Sequence, residues 1–315
     1  MKKIKIALLS GGLSEEREVS LKTGEKIFQA LDKNKYEIFQ YDPKVDLKKF
    51  IKDAFDKKIE LVFPALHGPY GEDGTLQGML DILKIPYLFS GCLASALAMN
   101  KFKTKRIVEN FGVKVARDLI IDKNQGYDVD RIVNCLNLPI VVKPIELGSS
   151  VGISIVKNKK ELQEGIKEAL KYGEVLLEEF IAGRELTVAV LGNEDPKALP
   201  VIEIKPKKSE WFDYKAKYEK GASEEICPAL IPEELKEKIQ EITLKVFQAI
   251  GCRDLARADF IYNKKNKKLY FLEINTIPGM TATSLAPQAA KEYGLDFPEF
   301  LDRLIELAMK RARKR

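Results

Sequence analysis

A chain of 315 residues, 45% hydrophobic and 32% charged, has the composition of an ordinary globular protein and is long enough for two or three domains with real cores. No apolar run reaches the ~18 residues of a membrane span, and the four cysteines (Cys92, Cys135, Cys227, Cys252) form no CxxC pair, which points to reduced cytosolic thiols and away from a disulfide frame or zinc site. The formal net charge is +6, and most of it lies in the C-terminal KRARKR, which excludes a broad basic face for nucleic acid.

MKKIKIALLSGG has too short an apolar run for a signal peptide and passes directly into a buried strand at residues 4–9. SGGLSEEREVS follows, then a helix with apolar positions Val19, Thr23, Ile27, Ala30 and Leu31. Ser14 is expected to cap that helix, with Glu15 and Glu16 in its first turn. Strand, glycine turn and helix open an α/β sheet, where ligands gather at the carboxyl ends of strands. Gly11-Gly12 lacks the GxGxxG spacing of a dinucleotide site. YEIFQYD and LVFPALHG supply further strands, and the second runs into HGPYGEDGTLQG. His67, the sole histidine, stands at that strand end; structural and functional roles are both open to it. LFSGCLASALAMNK leads into a helix, and a first domain is expected to close near residue 96.

From Lys101 the pattern changes. FKTKRIVENFG reads as a helix, VARDLII, PIVVKPI and GISIVK as short strands, and KELQEGIKEALKYG as a helix. KPIELGSSVG, residues 143–152, puts Lys143 at a strand end before a glycine-serine loop. In such a loop backbone N–H groups and hydroxyls donate to phosphate oxygens, and the ammonium adds charge. No GKT or GKS closes it, so it is not a Walker A loop. LLEEFI reads as a linker strand whose backbone suits a base, and Glu185 suits ribose hydroxyls. KSEWFDYKAKYEKGAS has no clean period, yet its aromatic rings argue against disorder, so a functional loop is expected. PEELKEKIQEITLKVFQAIG is an amphipathic helix with Pro232 in its first turn.

RADFIYN and KLYFLEIN, joined by a basic turn, read as a hairpin. If the turn centres on Asn266, Asp259 faces Glu273 and Arg257 faces Asn275, all on one face. Two opposed carboxylates repel. An exposed polar face is one reading; the other is a site for a hard cation such as Mg²⁺, which takes oxygen ligands and binds phosphates. The loop after Asn275, with Pro278 and Gly279 among small hydroxyl residues, can bring backbone N–H groups to an anion. The last helix (Phe300, Leu301, Leu304, Ile305, Ala308) runs into KRARKR, which reads as a solvated helix end.

In order along the chain, GGLSEEREVS, HGPYGEDGTLQG, KPIELGSSVG, GRELTV, YKAKY, RADF and LEINTIPGMTATSL resemble the ATP-grasp enzymes, specifically the D-alanine:D-alanine ligase family. Each motif alone is weak; the ordered set is specific and covers nearly the whole chain. The resemblance implies an α/β (α+β) fold of three domains: an open parallel-sheet substrate-binding domain (1–96), a central ATP-grasp subdomain (97–182) and a C-terminal catalytic subdomain (183–315). It implies ATP-dependent ligation of two D-alanine molecules through a D-alanyl phosphate, supplying peptidoglycan precursor. A cytoplasmic homodimer without nucleic-acid or membrane partners is expected.

By the same resemblance, Lys101, Lys143 and Lys217 bind ATP phosphates. Glu178, the backbone of Phe180 and Ile181, and Glu185 match the adenosine site, and Asp259, Glu273 and Asn275 the ligands of two Mg²⁺ ions, with Mn²⁺ a substitute. Arg257 and the Gly279 N–H match donors to a tetrahedral oxyanion. Glu16 matches the holder of the first substrate's ammonium, and Ser284 with the Leu285 N–H the clamp on the second substrate's carboxylate. Ser149 and Tyr218 match a chain with Glu16 that shuts the loop and excludes water; His67 matches a residue near the first substrate that handles protons. Phe180 stands where some relatives have tryptophan, and Ala258 departs from the commoner Val or Ile while pointing away from the metal face. An intact YKAKY favours an amine over a hydroxy acid as second nucleophile.

Two other readings share these residues. Another ATP-grasp ligase would differ at Glu16, Tyr218 and Ser284. A nucleotide-binding regulator without chemistry would have no need of both metal carboxylates, Arg257 and the three lysines.

Overall fold

The computed structural model describes residues 2–124, 126–148, 151–207 and 223–314. The expectations for Ser149, Lys217 and Tyr218 lie outside these described residues.

The first sheet is parallel, ordered β2-β1-β3, from β1 (Ile4–Leu9), β2 (Tyr36–Tyr41) and β3 (Leu61–Pro64). The run IKIALL is apolar on both sides because a central parallel strand is covered on both faces. Helices α1 (Arg17–Ala30), α2 (Pro43–Phe55), α3 (Thr75–Ile82) and α4 (Cys92–Met99) follow or separate these strands. Strand β3 ends at Pro64, so His67 lies in the loop beyond it, not at the strand end itself.

The entry to α1 differs from expectation. Glu16 occupies the N-cap position, and Glu18 is the acid of the first turn. Ser14 makes no cap; its hydroxyl donates to the His67 carbonyl at 2.6 Å and accepts from the Glu16 N–H at 3.3 Å. A tertiary partner thus takes the hydroxyl, and the helix starts three residues past Ser14.

The second sheet is antiparallel, ordered β4-β7-β5-β6, from β4 (Asp118–Ile121), β5 (Ile140–Pro144), β6 (Ser154–Val156) and β7 (Val175–Glu179). It carries α6 (Val129–Leu136) and α7 (Lys159–Ala169), whose Ile132, Leu162 and Ile166 pack with Val142 and Leu177. Before it runs α5 (Lys101–Asn110), capped by the Asn100 side chain on the Lys103 N–H at 2.9 Å.

The third sheet is antiparallel, ordered β11-β10-β8-β12-β13, with the short β9 (Lys197–Ala198) on β8 (Arg184–Gly192). Its other strands are β10 (Ile202–Pro206), β11 (Ser223–Ile226), β12 (Asp254–Asn263) and β13 (Lys268–Asn275). Helix α8 (Glu233–Ile250) buries Ile239, Val246 and Phe247 against Val188 and Phe260. Helices α9 (Leu285–Glu292) and α10 (Phe297–Ala312) complete the chain. A capping box between Asp296 and Glu299 starts α10.

The parallel sheet and the C-terminal helices share one core: Leu8 and Phe63 pack in the same cluster as Leu255, Phe300 and Leu304. Asp254 ties them further. It is fully buried at φ 59° and accepts from the Phe89 N–H at 2.9 Å, Asn193 Nδ2 at 2.9 Å and Arg311 at 2.7 Å. Burial raises its pKa, and the arginines offset this only in part. Arg311 also donates to the Tyr87 carbonyl at 2.7 Å. The KRARKR tail is therefore not simply a solvated helix end: Arg311 turns inward to Asp254, and Lys310 and Lys314 pair with Glu194. Among the described residues no helix is long and apolar enough to cross a membrane.

Candidate active site

The hairpin β12–β13 sets the chemistry of the third sheet. Asp259 pairs with Glu273 and Arg257 with Asn275, the expected register. The route to it is different. From Asn263↔Lys268 to Phe260↔Phe271 the ladder runs one residue short of the Asn266-centred register. A bulge after Phe271 then leaves Leu272 unpaired and brings Glu273 opposite Asp259. Phe260 and Phe271 meet edge-to-face at 5.8 Å in the core, so the carboxylates project from the opposite face. In a regular ladder Leu272 would face Asp259.

Arg257 clamps Asp259 with two parallel bonds, Nε to Oδ1 at 2.9 Å and an Nη to Oδ2 at 2.8 Å. Burial works against the guanidinium's charge, but Asp259, Glu273 and Glu185 more than reverse it, so its pKa rises. Thr187 on β8 donates to Asp259 Oδ1 at 2.5 Å. Glu185, two residues earlier on the same strand, shares that face. Glu273 lies 3.7 Å from the Lys101 ammonium, which donates to the Leu147 carbonyl at 2.5 Å. Asn275 Oδ1 accepts the Ile277 N–H at 3.0 Å and turns the chain into the loop that follows.

In that loop a Cβ on Gly279 would stand 3.0 Å from Ser284 Oγ, a tight approach that would press on the Ser284 side chain. Ser284 Oγ accepts from the Thr281 N–H at 3.1 Å and lies 2.8 Å from Thr281 Oγ1. Leu285 opens α9, so its N–H points outward at a helix N-terminus.

Opposite stands the loop after β3. His67 is buried, with Nε2 3.4 Å from Thr23 Oγ1. Burial lowers its pKa, with Glu16 opposing, so the ring is held neutral. A Cβ on Gly68 would come within 2.7 Å of Glu16 Oε2, and one on Gly148 within 3.5 Å. The Glu16 carboxylate is thus seated between the first sheet's loop and the glycine-serine loop of the second.

These elements enclose a cleft of about 610 Å³ lined by Glu16, His67, Lys101, Arg257, Glu273, Asn275, Gly279, Ser284 and Leu285, among others. A second group lies on the central sheet outside that lining: Lys143, 6% exposed, pairs with Glu178 at 2.6 Å. The Phe180 N–H is already given to the Pro139 carbonyl at 3.2 Å. Among the described residues no group of three His, Cys, Asp or Glu side chains is disposed to hold a metal ion; the face built by Asp259, Glu273 and Asn275 has two carboxylates and an amide.

Three residues went unsingled in the sequence. Glu72 accepts the Gly68 N–H at 2.6 Å while its Oε1 is enclosed with no partner. Burial, then Glu16, push its carboxyl up to about 8. Thr187 was legible by alternation from Glu185. Lys105, fully buried, was legible only as one helical turn beyond Lys101.

Family comparisons agree with this geometry. The family model described as D-ala D-ala ligase C-terminus matches residues 107–306, and that for the D-ala D-ala ligase N-terminus residues 40–92. The chain belongs to the D-alanine–D-alanine ligase family. It is 48% identical to the D-alanine–D-alanine ligase of Syntrophobacter fumaroxidans, with 98% of each chain covered. Among solved structures, the Bacillus anthracis D-alanine–D-alanine ligase complexed with ATP aligns at TM-score 0.86 and 35% identity, covering 100% of this chain and 99% of that one. The D-Ala:D-Ser ligase VanG of Enterococcus faecalis aligns at TM-score 0.84 and 33% identity, covering 98% of this chain and 100% of that one. The α/β architecture of one parallel and two antiparallel sheets is the ATP-grasp fold of these family members.

Proposed function

We infer that the chain joins two D-alanine molecules into D-alanyl-D-alanine at the expense of ATP, releasing ADP and phosphate, for cell-wall precursor synthesis. The observation that carries the reading is the single cleft in which Glu16, Lys101, Arg257, Glu273 and Ser284 meet from separate parts of the chain. The first D-alanine carboxylate attacks the γ-phosphate, and the acyl phosphate is then attacked by the second amine. Phosphoryl transfer asks mainly for placement and charge neutralisation, which Lys101 and Lys143 supply. Asp259, Glu273 and Asn275 offer only oxygen donors on one sheet face, a set that suits Mg²⁺ or Mn²⁺ with nucleotide phosphates completing the shell. Such ions, when bound, neutralise phosphate charge.

Glu16 holds the first ammonium. Arg257 and the Gly279 N–H face the developing oxyanion. Ser284 and the Leu285 N–H hold the second carboxylate at the start of α9. Neutral His67 is poised to exchange protons near the first substrate. At the base site the Phe180 N–H is spent on Pro139, so base contacts fall to its carbonyl and the Ile181 N–H, with Glu178 and Glu185 beside them. Segments 1–96, 97–182 and 183–315 each contain one of the three sheets, which supports that division into domains. A cytoplasmic homodimer accords with the family reading.

Phosphate release with ATP, Mg²⁺ and D-alanine, L-alanine, D-serine or D-lactate, with products identified by mass, tests the assignment. Phosphate and dipeptide with D-alanine are expected. Turnover only with another acid or amine overturns the substrate; nucleotide binding without turnover overturns the ligase.

A further inference from the structure

Asp118 on β4 and Glu178 on β7 are direct partners in the antiparallel ladder, so two carboxylates face each other inside the protein, 3% and 5% exposed. Like charges in that position repel. One cation bridges the two carboxylates. Lys105, 0% exposed on α5, places its ammonium 2.5 Å from Asp118 Oδ2, 2.5 Å from Glu178 Oε1 and 2.9 Å from the Ala116 carbonyl. The ammonium bonds to Glu178 and to the Ala116 carbonyl and pairs with Asp118, and Lys105, being fully buried, reaches no ligand. Glu178 divides its oxygens: Oε1 takes Lys105, and Oε2 takes the Lys143 ammonium at 2.6 Å. Arg106 adds a bond to Asp118 at 2.7 Å from the solvent side.

We propose that Lys105 is a positioning residue for ATP: by occupying Asp118 and one oxygen of Glu178, it fixes Glu178 and leaves Lys143 free to turn its remaining donors to phosphate. Without Lys105, Asp118 and Glu178 hold two negative charges against Lys143 and Arg106. Glu178 then draws the Lys143 ammonium more strongly and shifts away from Asp118. Both changes act on the nucleotide and neither on the amino-acid end of the cleft, where the Ser284 loop and Glu16 stand apart from this network. The inference rests on the ligase reading above.

The test is a kinetic comparison of Lys105→Met, Glu178→Gln and the double variant, alongside wild type. Lys105→Met is expected to raise KM for ATP by about tenfold or more, the scale of a lost charge-assisted arrangement, while KM for D-alanine changes less than about twofold. In the Glu178→Gln background the same substitution is expected to add little, because residues acting through one another are not additive. Lys105→Met/Asp118→Asn removes one charge of each sign and serves if the single variant is unstable; with the Asp118 repulsion gone but Glu178 still drawing Lys143, a smaller but still ATP-selective loss is expected. An unchanged KM for ATP, an equal rise for both substrates, or additive effects with Glu178→Gln each overturn the proposal. So does failure of both Lys105 variants to fold, which would make Lys105 part of the framework only. A wild-type protein that forms no dipeptide instead overturns the ligase reading, a separate outcome read in the same assay.

Discussion

At the residue scale, Glu72 carries the clearest consequence. One oxygen holds the Gly68 N–H, the other is enclosed and unpartnered, and Glu16 and Glu273 add negative potential. Its carboxyl is pushed from 4.5 up to about 8. Between those values the folded chain keeps a proton that the unfolded chain has lost, so this group's contribution is intact below pH 4.5 and drains away as pH rises to about 8. Glu72→Gln retains an acceptor for Gly68 but cannot ionise. Melting curves without nucleotide at pH 5 and pH 8.5 are expected to show the variant gaining on wild type at the higher pH; parallel losses would sink the idea. Glu273→Gln makes the second test at this scale. It removes one of the two carboxylates facing each other across β12–β13, and we expect turnover to drop by about 100-fold or more with the Mg²⁺ requirement shifted upward. Wild-type kinetics across a Mg²⁺ titration would refute the metal assignment.

At the scale of elements, period-two alternation made the Asp259–Glu273 face legible, but the bulge at Leu272 was not. Leu272 looks like any strand residue, and nothing in its sequence marks the slip, which the fold places just past the Phe260–Phe271 pair. The same holds for Ser14, a good cap by residue type that the His67 carbonyl claims instead. The C-terminal helix was legible from its apolar face, whereas the inward turn of Arg311 was hidden in a basic run that alone looks solvated. Arg311 spans α10, β12 and the chain after β3, donating to Asp254 and to the Tyr87 carbonyl. Its loss leaves a fully buried carboxylate with fewer compensating charges. Arg311→Met is therefore expected to cost about 3 kcal/mol in denaturant unfolding, within the range for breaking a buried pair. An Arg311→Met/Asp254→Asn double variant should recover part of that. A cost below about 0.5 kcal/mol would place Arg311 among ordinary surface cations.

At the scale of the molecule, hydrophobic periodicity revealed individual strands and a first domain closing near residue 96, but the division into three came from the resemblance, and how the strands meet came from neither. Glu16, Gly148 and Ser284 are far apart in the chain, and no spacing rule brings them together; the resemblance of seven motifs did that work, and Lys105 and Glu72, outside its catalytic set, were missed. Once assembled, the cleft draws its walls from the loop after the first sheet, the loop of the second and the hairpin of the third. A ligand that bridges them binds only when all three are in place. The nucleotide residues lie on the second and third sheets and on α5, and the third sheet shares a core with the first, so nucleotide binding should stabilise the whole chain as a unit, by about 2.7 kcal/mol at a concentration a hundredfold above its Kd. Calorimetric scans with ATP and Mg²⁺ are expected to raise the Tm by several degrees and to shift every resolved transition. ATP without Mg²⁺ should give a smaller rise, because the carboxylates at Asp259 and Glu273 then meet the triphosphate's own negative charge uncompensated. A shift confined to one of several transitions would mean that nucleotide grips a single sheet, and the cleft between them would lose its claim to the chemistry.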